Sequence, residues 1–312
     1  MIDYTIGVDI SKAHLDVHLL PDGIAVQFTN DRPGFSALIK WIGTRKIGRI
    51  VYEPTGAYHR AFEDALSKAG LPLAKVNPLQ ARRFAQARGT RAKTDKVDAE
   101  VLAVMGVALR PGICVVPSKT LRDLKALQIA RQALIKDRTA ARNRSKSLAL
   151  AMLKRQNANR LHQIERDLLR IEEEMLALID SDKKMARTFK ILCSIPGIAK
   201  ITAATLIVEI PELGTLTSKA VASLSGLAPF ARESGKWKGS RFIGGGRKFL
   251  REALYMPALV AMRFNPDMKA KYQQLKEAQK PSKVAITAIM RKLIVLANAL
   301  VKNDRMWVNN RT

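Results

Sequence analysis

The chain has 312 residues, with 54 Lys and Arg against 27 Asp and Glu, so its formal net charge at pH 7 is +27. An apolar fraction of 47% excludes a generally disordered chain, and the length is enough for two domains with cores of their own. Such a charge on a folded protein indicates a polyanionic partner, either nucleic acid or an anionic membrane surface. Aromatic residues make up only 5%, which argues against a protein that stacks single-stranded bases along an aromatic surface.

A membrane role is the weaker explanation of this charge. The longest apolar run, near Ile201–Ile210, is too short to span a bilayer and contains Glu209. The N-terminal sequence MIDYTIGVDI lacks the basic region and the cleavage site of a signal peptide. Cys114 and Cys193 are isolated, so we expect reduced core cysteines and neither a disulfide nor a zinc site. These features predict a cytoplasmic protein with no membrane partner.

The N-terminal segment alternates between predicted strands and helices. YTIGVDI, LDVHLL and IAVQFT predict three strands separated by tight breaks. A helix (GFSALIKWIG), a strand (GRIVYEP), a helix (YHRAFEDALSKAG) and a fifth strand (LPLAKVNP) follow, and then two helices, PLQARRFAQAR and TDKVDAEVLAVMGVALR. This order predicts an α/β domain over residues 1–115, with an antiparallel meander and the ribonuclease-H-like layout.

Residues 116–185 predict a helical coiled-coil arm. Apolar residues recur there at alternating spacings of three and four, as at the a and d positions of a coiled coil. They are Leu161, Ile164, Leu168, Ile171, Met175 and Leu178. We expect an antiparallel hairpin that turns near Gln156–Asn159. Residues 117–170 carry 14 basic and 4 acidic residues, so the arm is either a dimerisation element that contacts phosphate or an ordinary packing layer.

Residues 186–312 predict a mainly α-helical C-terminal domain. SIPGIAKITAATLIVEI places a Pro-Gly turn between two helices and so predicts a helix–hairpin–helix-like element, whose turn amides can bind a backbone phosphate. A basic loop, ARESGKWKGSRFIGGGRKFL, follows, and SKVAITAIMRKLIVLANALVK predicts the last helix. Residues 232–312 carry 18 basic and 5 acidic residues, so this quarter and the arm hold most of the positive charge.

Four carboxylates form a pattern that suggests a metal site. Asp9 lies inside the first apolar strand, where an isolated charge is costly to bury, and Glu53 ends the fourth strand. Asp95 and Asp98 share one face of a helix and would repel each other, so they form either a solvated acidic face or a pair of metal ligands. In a ribonuclease-H-like fold these elements converge, and hard oxygen ligands select Mg²⁺ or Mn²⁺. The remaining acidic residues of interest are interpreted as surface charges: Asp3, Asp16, Asp22 and Asp64.

The motifs GVDISKAHLD, YEPTGAYHR, KTDKVDAEVLA, SIPGI and GLAPFARESGKWKG, in this order, closely resemble the DEDD transposases of insertion sequences and the related Piv-like DNA invertases, a class of bridge-RNA-guided recombinases. The resemblance covers essentially the whole chain. It implies a RuvC-like domain, a coiled-coil arm and a C-terminal transposase domain, with DNA and a noncoding bridge RNA as partners. It also implies that the four carboxylates bind Mg²⁺ and that Ser234 is the nucleophile. One departure is Phe230, where a basic residue is expected after Pro229.

The role of Ser234 as a nucleophile can also be judged from the residues that could activate it. A Ser-Gly pair in a basic loop is more often a turn or a phosphate contact than a nucleophile. A nucleophilic serine needs activation, and the four histidines, His14, His18, His59 and His162, all lie far upstream. Activation would come from the metal–carboxylate centre or from surrounding cations. The candidate cations are Lys236, Lys238, Arg241, Arg247 and Lys248.

These observations predict an insertion-sequence transposase or recombinase that cuts and rejoins DNA through a phosphoserine intermediate. One alternative is a metal-dependent resolvase or nuclease that only hydrolyses DNA, with Ser234 structural. Another is a non-catalytic scaffold that binds RNA or DNA. Strand exchange involves four strands, whereas one chain has one such serine and one carboxylate group. We therefore expect a dimer of dimers, formed through the Leu161–Leu178 seam, in which Ser234 of one protomer meets the carboxylates of another.

Overall fold

The computed structural model of the chain describes residues 3–56, 58–89, 95–231, 233–234, 237–239 and 241–309. For residues 95–96, 233–234 and 237–238 it describes the backbone alone. The chain divides into two compact units, Met1–Pro117 and Ser118–Thr312. Each unit has its own hydrophobic core.

The first unit is built on a five-stranded mixed sheet. Its strands are β1 (Tyr4–Ile10), β2 (His14–Leu20), β3 (Ile24–Thr29), β4 (Ile47–Tyr52) and β5 (Leu73–Lys75), and its helices are α1 (Arg32–Ile42), α2 (His59–Lys68), α3 (Pro78–Ala87) and α4 (Asp95–Leu109). The strand order is β3-β2-β1-β4-β5, with β1–β3 antiparallel and β4 and β5 parallel to β1. The predicted mixed α/β domain is confirmed, and the sheet is consistent with a ribonuclease-H-like fold.

Side-chain alternation along the strands gives this sheet two different faces. Ile6, Val8 and Ile10 of β1 belong to a core that includes Phe35 of α1 and Phe62 of α2. The alternate residues of β1 lie on the opposite face, which α4 covers. The two faces therefore differ: one packs against an apolar core, and the other carries Asp9 under α4.

The second unit begins with a long helical hairpin. Helices α5 (Lys119–Ser145) and α6 (Ala151–Ser181) run antiparallel, because residues late in α5 contact residues early in α6. Arg131 Nε lies 2.8 Å from Glu172, and Arg142 lies 3.0 Å from Glu165. The predicted antiparallel hairpin is therefore present.

The predicted turn near Gln156–Asn159 is wrong, because the connection between the two helices lies at residues 146–150. Asn157 is buried in α6 and donates hydrogen bonds to the carbonyl of Ala141 and to Ser145 Oγ, at 3.0 and 2.5 Å. Ser145 Oγ, which accepts one of these hydrogen bonds, itself donates to the carbonyl of Ala141 at 3.2 Å, so the three groups connect the last turn of α5 to α6. The polar run thus marks a contact between helices and not a turn.

The apolar seam of α6 is covered within the chain. Ile164, Leu168 and Met175 are each 5% exposed or less and pack in the hairpin that α6 forms with α5. At the base of the hairpin, Gln128 donates to Thr205 at 3.2 Å in the core of the second unit. An oligomer therefore has to use a surface other than this seam.

The rest of the second unit is mainly helical, as predicted. Its helices are α7 (Lys183–Ser194), α8 (Lys200–Glu209), α9 (Ser218–Leu224), α10 (Lys248–Ala253), α11 (Tyr255–Phe264), α12 (Pro266–Glu277) and α13 (Ser282–Lys302). The described residues between α9 and α10 include the two-residue strands β6 (Pro229–Phe230), β7 (Glu233–Ser234), β8 (Trp237–Lys238) and β9 (Phe242–Ile243). Among the described residues, α13 alone is long and apolar enough to cross a membrane, but it is half buried within this unit. Ile289, Leu293 and Ala297 of α13 are fully buried in its core.

The predicted Pro-Gly turn joins α7 to α8 and packs on α11. Gly197 has φ +103°, and a Cβ there would lie 2.6 Å from the carbonyl oxygen of Pro257. Only glycine tolerates both this backbone conformation and this close approach. The helix–turn–helix is therefore fixed by contact with the unit's own core.

Candidate carboxylate centre and serine hairpin

Two of the four predicted carboxylates lie at the same level on neighbouring strands. Strands β1 and β4 are parallel, with Gly7 beside Val51 and Val8 beside Tyr52. The next step of this register sets Asp9 beside Glu53, directly after β4, and both residues are half-buried. They therefore lie at the carboxyl ends of adjacent parallel strands, the edge at which α/β domains place their ligands.

Helix α4 runs along β1 in the opposite direction. A Cβ on Gly106 would lie 2.7 Å from the Cγ2 of Thr5, and a Cβ on Gly7 would lie 2.4 Å from the amide nitrogen of Ala103. Two strand residues advance about 6.6 Å, which equals about four helix residues. One further step along β1 reaches Asp9 and, on the helix, the first turn of α4.

That first turn of α4 carries the other two predicted carboxylates. It begins at Asp95, and Asp98 is half-buried one turn later. Glycine at position 7 is what allows the helix to lie this close, since a Cβ there would meet the carbonyl of Ala99 at 2.0 Å. The backbone thus directs Asp9, Glu53 and this helical turn toward one edge of the sheet.

No three His, Cys, Asp or Glu side chains within the described part of the chain are grouped closely enough to hold a metal ion. The side chain of Asp95 lies outside that part. The donor set itself suits a hard divalent cation, because it consists of carboxylate oxygens and contains neither thiolate nor imidazole.

Asp16 was predicted to be a surface charge, and the structure shows that this is wrong. It is only 4% exposed, lies directly opposite Asp9 in the antiparallel β1–β2 pair, and accepts a hydrogen bond from Gln27 Nε2 at 3.0 Å. Gln27 is its cross-strand partner on β3. The signal was available in the sequence, because Leu15 and Val17 alternate with Asp16 and assign it to the face of α4.

A second polar network lies on the opposite face of the sheet. The buried Tyr52 hydroxyl donates to Glu63 Oε1 at 2.6 Å, and Lys75 Nζ lies 2.5 Å from the same oxygen. Burial, together with the hydrogen bond to Glu63, raises the pKa of Tyr52 well above its usual value. Burial lowers the pKa of His59, whose Nε2 lies 3.6 Å from Glu63 Oε1. These groups face α1 and α2, so they cannot act on the side that carries Asp9.

Ser234 lies near the end of a β-hairpin in the second unit. Strands β6 and β9 pair, with Phe230 opposite Phe242, and further along the hairpin β7 and β8 pair, with Ser234 opposite Trp237. Gly235 and Lys236 connect β7 to β8 and lie outside the described residues. The backbone of Ser234 thus lies directly before the connection between the two strands.

Phe230, the departure from the expected basic residue, supports this hairpin. Its ring centroid lies 6.0 Å from that of Phe242 on the opposite strand. Such a cross-strand aromatic pair contributes about 0.5–1.5 kcal/mol beyond the area that it buries. The local phosphate contact expected here is replaced by an aromatic contact within the protein.

The predicted cations differ in their surroundings. Arg241 is exposed, and Lys248 lies 3.7 Å from Glu252 on the surface of α10. Arg247 is instead held by Glu212, with nitrogen–oxygen distances of 2.8 and 3.0 Å, and by the carbonyl of Glu209. The side chain of Lys238 and the whole of Lys236 lie outside the described residues.

Comparison with known proteins identifies relatives of both units. A transposase family model for DEDD transposases of the IS110 type matches residues 6–154, and the model described as the transposase IS116/IS110/IS902 family matches residues 189–273. Pilin gene-inverting proteins of Moraxella lacunata and Moraxella bovis are 31% and 30% identical to the chain over 314 residues. In each case the match covers 96% of this chain and 96% of the relative.

Proposed function

Because the chain belongs to the IS110 family of DEDD transposases and the related pilin gene-inverting proteins, it is a DNA transposase or recombinase, and we propose that it cuts and rejoins DNA strands through a carboxylate centre and a serine nucleophile. The observation that carries this proposal is the register that sets Asp9 beside Glu53 under the first turn of α4. The proposal makes the chain an insertion-sequence enzyme that acts on donor and target DNA.

In this proposal the carboxylates bind a divalent cation that contacts the DNA backbone. Asp9, Glu53, Asp95 and Asp98 would hold Mg²⁺ or Mn²⁺, because two adjacent strand ends and one helical turn offer only oxygen donors. When bound, such an ion stabilises negative charge on the entering and leaving oxygens of a phosphodiester. The half-burial of Asp9, Glu53 and Asp98 supports this role, since it limits competition from water.

The serine hairpin would supply the nucleophile. Ser234 Oγ attacks phosphorus as the bond from phosphorus to the departing strand oxygen breaks, and the serine proton leaves while that oxygen takes up a proton. The phosphoserine ester keeps the energy of the original bond. A hydroxyl of the incoming strand then attacks phosphorus, restores a phosphodiester and releases the serine, so rejoining needs no nucleotide cofactor.

The basic surfaces would hold the nucleic acids. Residues 117–170 have an excess of 10 positive charges and residues 232–312 an excess of 13, each large enough to neutralise several phosphates. A bridge RNA would supply sequence recognition by base pairing, while the protein contacts backbone and shape. Exposed Arg241, next to the serine hairpin, is suited to a scissile-strand phosphate.

The test compares variants on a labelled DNA substrate in the presence of Mg²⁺ and of the RNA fraction extracted from the purified protein. We expect Ser234→Ala to lose both cleavage and the covalent protein–DNA adduct, and Asp9→Asn and Glu53→Gln to lose both as well while still binding DNA. Asp22→Asn, an exposed turn residue, is the matched control and should react normally. Nicking by Ser234→Ala without an adduct would identify a hydrolytic nuclease, and binding with no cleavage by any form would identify a scaffold.

A further inference from the structure

One row of polar side chains runs from β3 across β2 and β1 to the end of β4. Gln27 on β3 is opposite Asp16 on β2, and Asp16 is opposite Asp9 on β1. The parallel register of β1 and β4 continues the row to Glu53. The carboxylates of the proposed centre therefore continue inward along the sheet to a buried aspartate.

Asp16 is an unusual buried carboxylate. It is 4% exposed, and its described polar contact is an amide, Gln27 Nε2 at 3.0 Å. It takes part in none of the ion pairs found within the described part of the chain. A cavity of about 180 Å³ lies beside it, and among the described side chains of α4 Ala99 lines that cavity. A buried carboxylate in such surroundings is costly unless a cation comes close.

The position of Asp16 makes Asp9 the residue that it influences most. Residues directly opposite each other in an antiparallel pair have Cβ atoms about 4.5–5.5 Å apart, and like charges there destabilise the sheet. The repulsion between Asp9 and Asp16 persists as long as neither is neutralised. A divalent cation at Asp9 would turn the same proximity into an attraction.

We propose that Asp16 is a positioning residue of the carboxylate centre, whose charge, held in place by Gln27, increases the affinity of that centre for its divalent cation. The inference rests on the proposed function, since it assumes that Asp9 binds the cation. Asp16 acts from the adjacent strand through its charge, and Gln27 keeps its oxygen oriented. Residues that support metal ligands in this way typically change metal affinity by about 10–100-fold when they are replaced.

The experiment measures Mn²⁺ binding to the full chain from the loss of the free-ion signal in electron paramagnetic resonance. Asp16→Asn keeps the shape of the side chain and removes its charge, and Asp22→Asn removes a charge from an exposed turn as a matched control. We expect the dissociation constant to rise about 10–100-fold for Asp16→Asn and to stay unchanged for the control. The metal-free Asp16→Asn protein should melt at or above the temperature of the unmodified protein, because the repulsion has been removed.

A charge swap separates an electrostatic role from a structural one and covers the case in which Asp16→Asn folds poorly. The double variant Asp16→Asn/Gln27→Glu exchanges the amide and the carboxylate, so the hydrogen-bonded pair and the net charge remain while the charge moves one strand farther from Asp9. We expect an affinity between those of the unmodified protein and Asp16→Asn. Unchanged Mn²⁺ affinity in a folded Asp16→Asn, or in the swap, would overturn the inference.

Asp9→Asn distinguishes this failure from a failure of the proposed function. Loss of Mn²⁺ binding by Asp9→Asn together with normal binding by Asp16→Asn would reject the role of Asp16 alone. Normal binding by both variants would reject the carboxylate centre itself and, with it, the role of Asp16.

Discussion

Arg247 and Glu212 form an ion pair whose strength depends on pH. Burial acts to raise the pKa of Glu212, but the hydrogen bonds and charge of Arg247 outweigh it, so the pKa lies below its usual value. A lowered pKa gives the folded state stability that is present above the unfolded value of about 4.3 and is lost as the pH falls through the folded value.

We therefore expect Glu212→Gln to lower the stability by about 1 kcal/mol at pH 7, a modest amount because the pair is partly exposed. The difference from the unmodified protein should shrink as the pH falls below about 4, because Glu212 becomes protonated first in the unfolded state and then, at lower pH, in the folded state. Melting curves from pH 7 to pH 3 would show this convergence. Glu277→Gln, an exposed carboxylate on α12, is the control and should show little effect throughout. A constant difference at every pH would contradict the electrostatic explanation.

For single residues, the sequence identifies the candidate chemical groups better than it predicts their burial and their partners. Asp9 and Glu53 could be placed because each one interrupts or ends an apolar strand. The alternation of Asp16 with Leu15 and Val17 indicates its face of the sheet, but its burial on that face depends on α4, which begins about 80 residues later. Arg247 could be chosen as a cation, but its pairing with Glu212 depends on a contact across 35 residues.

Asn157 connects the two helices of the hairpin through side-chain hydrogen bonds. Its side chain is 6% exposed and donates to acceptors on α5. We expect Asn157→Ala to lower the stability by about 1–3 kcal/mol, because the contact between the helices loses two partly or fully buried hydrogen bonds. Asn159→Ala, two residues away on an exposed position of α6, is the matched control and should be nearly neutral. Chemical denaturation of the two variants measures the difference, and equal midpoints would show that the buried amide contributes nothing.

Gly7 determines how closely α4 approaches the sheet. A methyl group at this position would lie 2.0 Å from the carbonyl of Ala99 and 2.4 Å from the amide of Ala103, so the helix has to move. Overpacking of this kind typically costs about 1–3 kcal/mol. We expect Gly7→Ala to lose that stability and nearly all cleavage, because the helix also carries Asp95 and Asp98.

Gly112→Ala is the control for this substitution, since nothing lies within 4 Å of an added Cβ there. Calorimetry and a cleavage assay on both variants provide the measurement. Full cleavage by Gly7→Ala would mean that the position of α4 is not critical to the reaction.

Elements with strong periodicity were predictable, and those defined by tertiary contact were not. The strands and helices of the first unit follow from apolar alternation and from helical spacing, which reflect burial on one side. The hairpin turn was misplaced because polar Gln156–Asn159 has the composition of a loop, whereas the true connection at 146–150 contains apolar Leu148 and Leu150. The serine hairpin uses two-residue strands, which are too short for any periodic signal.

Charge governs the behaviour of the whole molecule toward nucleic acid. Each duplex phosphate that the protein neutralises contributes about −0.9 to the slope of log K against log salt. With two strongly basic segments, we expect a slope of about −4 or steeper in a binding titration with duplex DNA. Arg241→Gln should reduce the magnitude of the slope by about 1, whereas Arg187→Gln, whose charge is paired with Asp304, should change it less. A slope near zero would contradict DNA binding through these surfaces.

Assembly determines whether each chain completes its own reaction site. Ser234 and Asp9 belong to different compact units, so the proposed chemistry can join residues of two protomers. We expect a mixture of Asp9→Asn and Ser234→Ala proteins to recover part of the cleavage that each lacks alone. An intact serine from one protomer would then meet intact carboxylates from another. Failure to recover any cleavage, with mixed oligomers demonstrated by crosslinking, would show that each chain builds its own site.

The division of the chain at Pro117 has a consequence for protein synthesis. Domains fold as units while the ribosome extends the chain by about 5–20 residues per second, so the first unit is complete well before the rest. Ser234 follows Pro117 by 117 residues, an interval of about 6–23 s at those rates. A polypeptide released by premature termination within this interval would carry the carboxylates without the serine. Under the proposed mechanism, interrupted translation would thus leave fragments that cannot form a covalent bond with DNA.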